Sequence, residues 1–312
     1  MGMTALHVAV LMGGFSSERP VSLSSGAACA DALERLGHTV DRLDAGRDLA
    51  AKLTARSYDL AFNALHGQWG EDGTVQGVLE TLELPYTHSG VLASALAMDK
   101  ARARMIFAQC GLPIARGQMA SRADVIAGRV MEPPFVVKPN AEGSSVGVLI
   151  VRPGDNGALA ELESDAWAFG DEVLIEQFVP GRELSVAVLD GRPLGVVEII
   201  PNTDWYDFEA KYSDGGSTHE IPAKVPAEIY EQAMQIAARA HLVLGCRGVS
   251  RADIRFDEEG ELSGGKPGLY LLEVNTQPGM TPTSLVPEVA AHAGQSFDDL
   301  IAWMVEDASC AR

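Results

Sequence analysis

The 312-residue chain is short of positive charge, with 24 Lys and Arg against 43 Asp and Glu and a formal net charge of -19. Nucleic acid and anionic membrane surfaces reward clustered Lys and Arg, so neither is expected as a partner, and any anionic substrate must be held by a few placed cations. Cysteine is also scarce. Cys29, Cys110, Cys246 and Cys310 lie far apart and form no C-x-x-C pair. The sequence therefore signals neither a zinc motif nor a disulfide framework, and reduced thiols in a cytoplasmic setting are expected. No apolar run approaches membrane-spanning length. Residues 1–6 lack the basic stretch of a secretory signal, and Leu6 stands where a myristoylation signal wants Ser or Thr. A Walker A string is missing, as are the H-R-D and D-F-G strings of protein kinases.

What is there exceeds the usual size of one hydrophobic core, so two or three domains are expected. Over residues 1–96 strand and helix signals alternate. A strand at 7–12 is followed by a Gly13-Gly14 turn and a helix over 20–36 ended by Gly37. A strand at 60–65 then leads through a glycine-punctuated loop into a helix carrying Val75, Val78, Leu79 and Leu82. Such alternation implies a parallel sheet. A second unit, 97–181, opens with a helix over 98–109 that Asp99 can cap, continues with a hairpin over 135–151, and closes with a strand at 172–178. The third, 182–312, has strands at 183–189 and 194–200, a helix over 226–244 and a hairpin over 251–275. The segment 201–221 holds Trp205, Tyr206, Phe208 and Tyr212. It is too long and too aromatic for a passive connector and reads as a lid.

Two strands carry the densest chemistry. Side chains alternate along a strand, so Arg251, Asp253 and Arg255 share one face of the first, and Glu273 and Asn275 share one face of the second. If the strands pair, two carboxylates and an amide oxygen converge, a hard donor set that suits Mg²⁺ shared with nucleotide phosphates better than zinc or copper. The same residues also suit a hairpin with a solvated acidic face. At the tip of the 135–151 hairpin, Asn140-Ala141-Glu142-Gly143-Ser144-Ser145 can fold backbone amides over phosphates, and Lys138 lies on the strand entering that loop. A plain tight turn is the alternative. Glu176 and Glu183 bracket Phe178-Val179-Pro180-Gly181, where a strand leading into a linker could read adenine and then ribose hydroxyls; an ordinary edge strand with solvated glutamates would look the same.

Taken together, the strings resemble a family. Gly13-Gly14-x-Ser16-x-Glu18-Arg19, His66-Gly67-x-x-Gly70-Glu71-Asp72-Gly73, Met98-Asp99-Lys100, Val137-Lys138-Pro139 with Glu142-Gly143-Ser144-Ser145-Val146-Gly147, Glu209-Ala210-Lys211-Tyr212, and Glu273-Val274-Asn275-Thr276-x-Pro278-Gly279-Met280-Thr281 stand in the order and spacing of bacterial D-alanine:D-alanine ligases. The resemblance covers essentially the whole chain. It implies an ATP-grasp fold of mixed α/β class, with an N-terminal Rossmann-like domain ahead of two α+β lobes that grip ATP. It also implies a two-step reaction. One D-alanine carboxylate attacks the γ-phosphate to give an acylphosphate and ADP, and the amine of a second D-alanine displaces phosphate, giving a peptidoglycan precursor.

By the same resemblance Lys100 and Lys138 would hold phosphates under the Ser144–Ser145 loop, and Lys211 would reach the transferring group. Glu176 and the backbone beside Val179 would read adenine, with Leu272 lining the nucleotide site and Glu183 on the ribose. Asp253, Glu273 and Asn275 would bind two Mg²⁺ or Mn²⁺. Arg251 and the Gly279 amide would stabilise the oxyanion. Glu18 would meet the first D-alanine's ammonium, Ser284 and Leu285 the second one's carboxylate and methyl region, and Tyr212 with Ser144 would link the lid to Glu18. His66 would lie near the phosphoryl group, or else be a strand-end histidine satisfied by a backbone partner. A homodimer is implied only by the family.

Two departures stand out. Pro20 follows Arg19 where relatives often carry an acidic residue, which a helix's first turn tolerates but which could shift Glu18. The stretch 263–268 reads as a surface insertion. Two rival functions are a D-alanine:D-lactate ligase, against which Tyr212 argues, and a nucleotide-binding regulator without turnover, against which the full set of charges argues.

Overall fold

The computed structural model describes residues 4–154, 156–202 and 216–311. Lys211 and Tyr212, with the centre of the expected lid, lie outside the described residues.

Three parallel strands, β1 (His7–Met12), β2 (Thr39–Asp44) and β3 (Leu60–Asn63), form the first sheet in the order β2-β1-β3. Val8 and Val10 on one face and Ala9 and Leu11 on the other have no exposed surface because β1 is central and covered on both faces. Helices α1 (Arg19–Arg35), α2 (Leu49–Thr54) and α3 (Thr74–Thr81) follow the strands. The connections leaving β1 and β3 both emerge at the carboxyl edge of the sheet, where α/β folds place their ligands. Pro20 falls in the first turn of α1, where its missing N–H costs nothing.

A second, antiparallel sheet has the order β4-β7-β5-β6, from β4 (Gly117–Ser121), β5 (Phe135–Lys138), β6 (Leu149–Val151) and β7 (Glu172–Gln177). Two short helices, α6 (Arg122–Ile126) and α7 (Gly157–Glu163), cover it through Val125 and Leu162. Pairing of Phe135 with Val151 and of Val137 with Leu149 makes β5 and β6 the expected hairpin. The strand bearing Glu176 is internal to this sheet, not an edge, and Glu176 is not solvated.

The third sheet is antiparallel, in the order β10-β9-β8-β11-β12: β8 (Arg182–Leu189), β9 (Arg192–Pro201), β10 (Ser217–Glu220), β11 (Val249–Asp257) and β12 (Gly268–Asn275). Helices α4 (Val91–Met98), α5 (Lys100–Gln109) and α8 (Ala227–Leu244) pack on one face. Small residues Ala233, Ala237 and Ala240 bring α8 close to Val186 and Ile254. Met98 ends α4 instead of opening the next helix, because Asp99 leaves helical backbone geometry and caps α5 by accepting the Arg102 N–H at 3.1 Å. On the other face Ala187 and Leu189 join a core shared with Val8 and Phe62 of the first sheet and with α9 (Leu285–His292) and α10 (Phe297–Asp307).

One irregularity positions the chemistry. Leu269 and Leu271 point into the core, so strict alternation would bury Glu273 with them. Instead Asp253 pairs with Glu273 and Ile254 with Leu271, which leaves Leu272 as an extra residue in a β-bulge. The bulge resets the phase: Val274 takes the core face, and Glu273 and Asn275 turn to the face carrying Arg251 and Asp253.

Candidate active site

The three sheets enclose two adjoining cavities. The larger, about 750 Å³, opens between the carboxyl edge of the first sheet and the third sheet. The smaller, about 100 Å³, lies between the second and third sheets. Lys100, Glu183, Asp253 and Glu273 line both. Glu18, His66, Ser144, Arg251, Asn275, Gly279, Ser284 and Leu285 line the larger; Lys138, Ser145, Glu176, Val179 and Leu272 line the smaller. Every described residue singled out in the sequence as a site candidate therefore reaches one of two connected spaces.

At the carboxylate end, Arg251 forms a fork on Asp253, with Nε to Oδ1 at 2.8 Å and Nη2 to Oδ2 at 2.6 Å. Ser185 donates to the same Oδ1 at 2.7 Å. Directly across the ladder, Glu273 is met by Lys100 at 3.3 Å. The Lys100 ammonium also donates to the Glu142 carbonyl at 2.6 Å, tying the glycine-rich loop to the carboxylate strand. Asn275 accepts the Gln277 N–H at 2.8 Å, which turns the chain into the Pro278-Gly279 loop. Among the described residues no three His, Cys, Asp or Glu side chains gather as a metal cluster. Two carboxylates with an amide oxygen remain a donor set that fits a hard divalent cation only if other oxygens complete its sphere, as phosphates would.

At the phosphate end, Ser144 and Ser145 take left-handed backbone angles, φ 52° and 58°. A non-glycine residue adopts such angles only where its surroundings hold it. Here the Ser144 hydroxyl donates to Glu18, joining the loop to the first sheet. Glu18 is buried at the start of α1 and caps nothing with its side chain, so its carboxylate is available for that contact. It is held between two glycines: a Cβ at Gly67 would lie 2.6 Å from Glu18 Oε2, and one at Gly143 2.7 Å from it.

Both ring nitrogens of His66 are engaged, Nδ1 with the Gln277 carbonyl at 3.0 Å and Nε2 with Ser25 Oγ at 3.1 Å. A carbonyl only accepts, which assigns the proton to Nδ1 and makes the Ser25 hydroxyl a donor to Nε2. Ser25 in turn accepts the Met280 N–H at 3.2 Å. Burial holds the imidazole below its ordinary range. His66 thus lines the cavity and is also satisfied by the backbone.

Several site residues carried no assigned role in the sequence. Glu71 is buried beside Glu18 and accepts the Gly67 N–H at 2.8 Å. Burial first, then the Glu18 charge, push its carboxyl up to about 8. Its place in the Gly70-Glu71-Asp72-Gly73 string was the available signal. Asn63 and Gln277 exchange side-chain bonds across the two sheets, Nδ2 to Oε1 at 3.0 Å and Nε2 to the Asn63 carbonyl at 2.6 Å. They are 214 positions apart, and no local pattern announces the pair.

Comparison with known proteins bears on this geometry. Residues 106–306 match the family model described as D-ala D-ala ligase C-terminus, and residues 38–89 match D-ala D-ala ligase N-terminus. The D-alanine:D-alanine ligase of Parvibaculum lavamentivorans is 59% identical over 308 residues, covering 99% of each chain. That of Agrobacterium fabrum is 56% identical over 315 residues, covering 99% of this chain and 100% of the relative. A crystal structure of the Bacillus anthracis D-alanine:D-alanine ligase superposes with a TM-score of 0.81 at 32% identity over 97% of both chains. The same enzyme complexed with ATP superposes with a TM-score of 0.79. With both family models matched in order and close relatives matched from end to end, the chain belongs to the D-alanine:D-alanine ligase family and is an enzyme.

Proposed function

We propose that the two cavities divide the reaction between them, ATP in the smaller cavity reaching into the larger, and the two D-alanines in the larger. The observation that carries this reading is the shared wall: Lys100, Glu183, Asp253 and Glu273 face both spaces. A phosphoryl group passed from nucleotide to amino acid must sit at such a junction.

In this reading Lys138 and Lys100 neutralise phosphate, the loop of Ser144 and Ser145 covers it, and Glu183 takes the ribose. The apolar side chains of Val179 and Leu272 flank the base, and Glu176 accepts from its amino group. Asp253, Glu273 and Asn275 would hold two Mg²⁺ or Mn²⁺, which when bound neutralise charge on the phosphates. Glu18 orients the first D-alanine through its ammonium. Arg251 and the Gly279 N–H face the carbonyl oxygen whose charge grows as the amine attacks, where preorganised donors count most. Ser284 at the start of α9 and Leu285 hold the second D-alanine. Lys211 and Tyr212 keep their sequence-based roles at the transferring group and on Glu18. The product serves peptidoglycan precursor synthesis. A homodimer in the cytoplasm completes the proposal; the four cysteines are all free thiols, as that compartment favours.

The deciding experiment measures phosphate release from ATP with and without D-alanine, together with the dipeptide formed. Release that depends on D-alanine and matches dipeptide one to one is expected. Release independent of D-alanine, or with none of the dipeptide, would overturn the division of the site.

A further inference from the structure

Arg104, on α5, lines neither cavity, yet it is only 6% exposed. Its Nη1 donates to Glu176 Oε1 and its Nη2 to the Ala115 carbonyl. The other carboxylate oxygen of Glu176, Oε2, is met by the Lys138 ammonium. Glu176 is 4% exposed and Lys138 8%. One buried carboxylate is thus shared by two buried cations that differ in what they can do. Arg104 has a second tether on the backbone and a planar fork that fixes orientation. Packing holds it as well, since a Cβ at Gly117 would lie 2.7 Å from its Nη2. Lys138 instead stands on the cavity wall, at the end of the strand that enters the glycine-rich loop, and a lysine's flexible stem can turn to a phosphate.

We propose that Arg104 is a positioning residue for base selection: it clamps Oε1 of Glu176, so that when Lys138 turns to phosphate the carboxylate keeps its orientation and offers Oε2 to the amino group of a 6-aminopurine. The proposal rests on the reading of Glu176 as the group that meets the base. A 6-oxopurine presents a carbonyl at that place, and two acceptors facing each other repel. A carboxylate freed from Arg104 would stay with Lys138, leaving both the base and the phosphate less well met.

The test compares kcat/KM for ATP and for inosine triphosphate in the wild type, Glu176→Gln, Arg104→Met and Arg104→Lys, with thermal unfolding as the check on folding. The wild type should prefer ATP, and Glu176→Gln should erase most of that preference. Arg104→Met should lower the ATP-to-inosine ratio about tenfold, the worth of one buried charge-assisted hydrogen bond, through a raised KM for ATP with KM for D-alanine unchanged. If Arg104→Met does not fold, Arg104→Lys decides: an ammonium cannot hold both acceptors as a fork does, so the ratio should fall about threefold. A ratio lost in Glu176→Gln but kept in the folded Arg104 variants overturns the clamp and leaves the reading of Glu176 standing. A ratio unchanged in Glu176→Gln removes that reading and the clamp with it.

Discussion

His66 Nδ1 lies 3.0 Å from the carbonyl oxygen of Gln277, and this contact ties the chain leaving β3 to the loop that carries Gly279. Ser25 on α1 extends the tie by bridging His66 Nε2 and the Met280 N–H. The exchange between Asn63 and Gln277 doubles it. The loop proposed to present an N–H to the oxyanion is therefore fixed from the first sheet as much as from its own strand.

Replacing His66 by Ala should slow turnover more than it weakens substrate binding. The substitution takes the side-chain donor from the Gln277 carbonyl and the acceptor from the Ser25 hydroxyl proton, a cost of about 1 to 3 kcal/mol that falls on the Gly279 loop. A drop in kcat of about tenfold or more is expected, with KM for ATP little changed. Steady-state kinetics check it. An unchanged kcat would show that the loop holds its place without the imidazole.

Gly143→Ala should act through Glu18. The added methyl would sit 2.7 Å from Glu18 Oε2, so either the glycine-rich loop or the carboxylate must move. Because Glu18 also accepts from Ser144, a shift of either breaks a joined pair. KM for D-alanine should rise about tenfold, a loss of roughly 1.4 kcal/mol, while KM for ATP changes less. Equal effects on both substrates would place the strain in the nucleotide loop alone.

Much of this is legible in the sequence. The run His7–Met12 is apolar enough to be a central strand and is one, and the alternation over 251–255 set the acidic face correctly. Other parts left little trace. Strand β2, Thr-Val-Asp-Arg-Leu-Asp, has two apolar residues in six because it lies at the sheet edge, so its pattern resembles a loop. The bulge at Leu272 depends on pairing with β11, which composition cannot reveal. Arg104 meets Glu176 across 72 positions, and a lone arginine in a helix reads as a surface residue until its carboxylate is found.

Asp253→Asn and Glu273→Gln should each abolish turnover while leaving a folded protein. Each removes a negative charge from the wall shared by both cavities and takes the carboxylate from a cation, Arg251 or Lys100, that it now holds. Loss of dipeptide formation by about a hundredfold or more is expected, with the magnesium concentration needed for half-maximal rate shifted upward. Near-normal activity with the same magnesium dependence in either variant would remove these residues from the metal assignment.

Glu71 sets a pH dependence of stability whose sign follows from its shifted carboxyl. Burial and the Glu18 charge push it up to about 8 from an ordinary 4.5, so between those values the unfolded chain has released a proton that the folded chain keeps. Stability falls with rising pH wherever the folded state holds more protons, so this group costs stability progressively through that window and most near its upper end. Glu71→Gln keeps an oxygen to accept the Gly67 N–H and cannot ionise. The variant and the wild type should unfold alike in denaturant near pH 4, and by about pH 8 the variant should be more stable, by roughly 4 kcal/mol. Other titrating groups are common to both proteins and cancel in the difference. A stability difference that is the same at both pH values would show that Glu71 ionises in the fold as readily as in the unfolded chain.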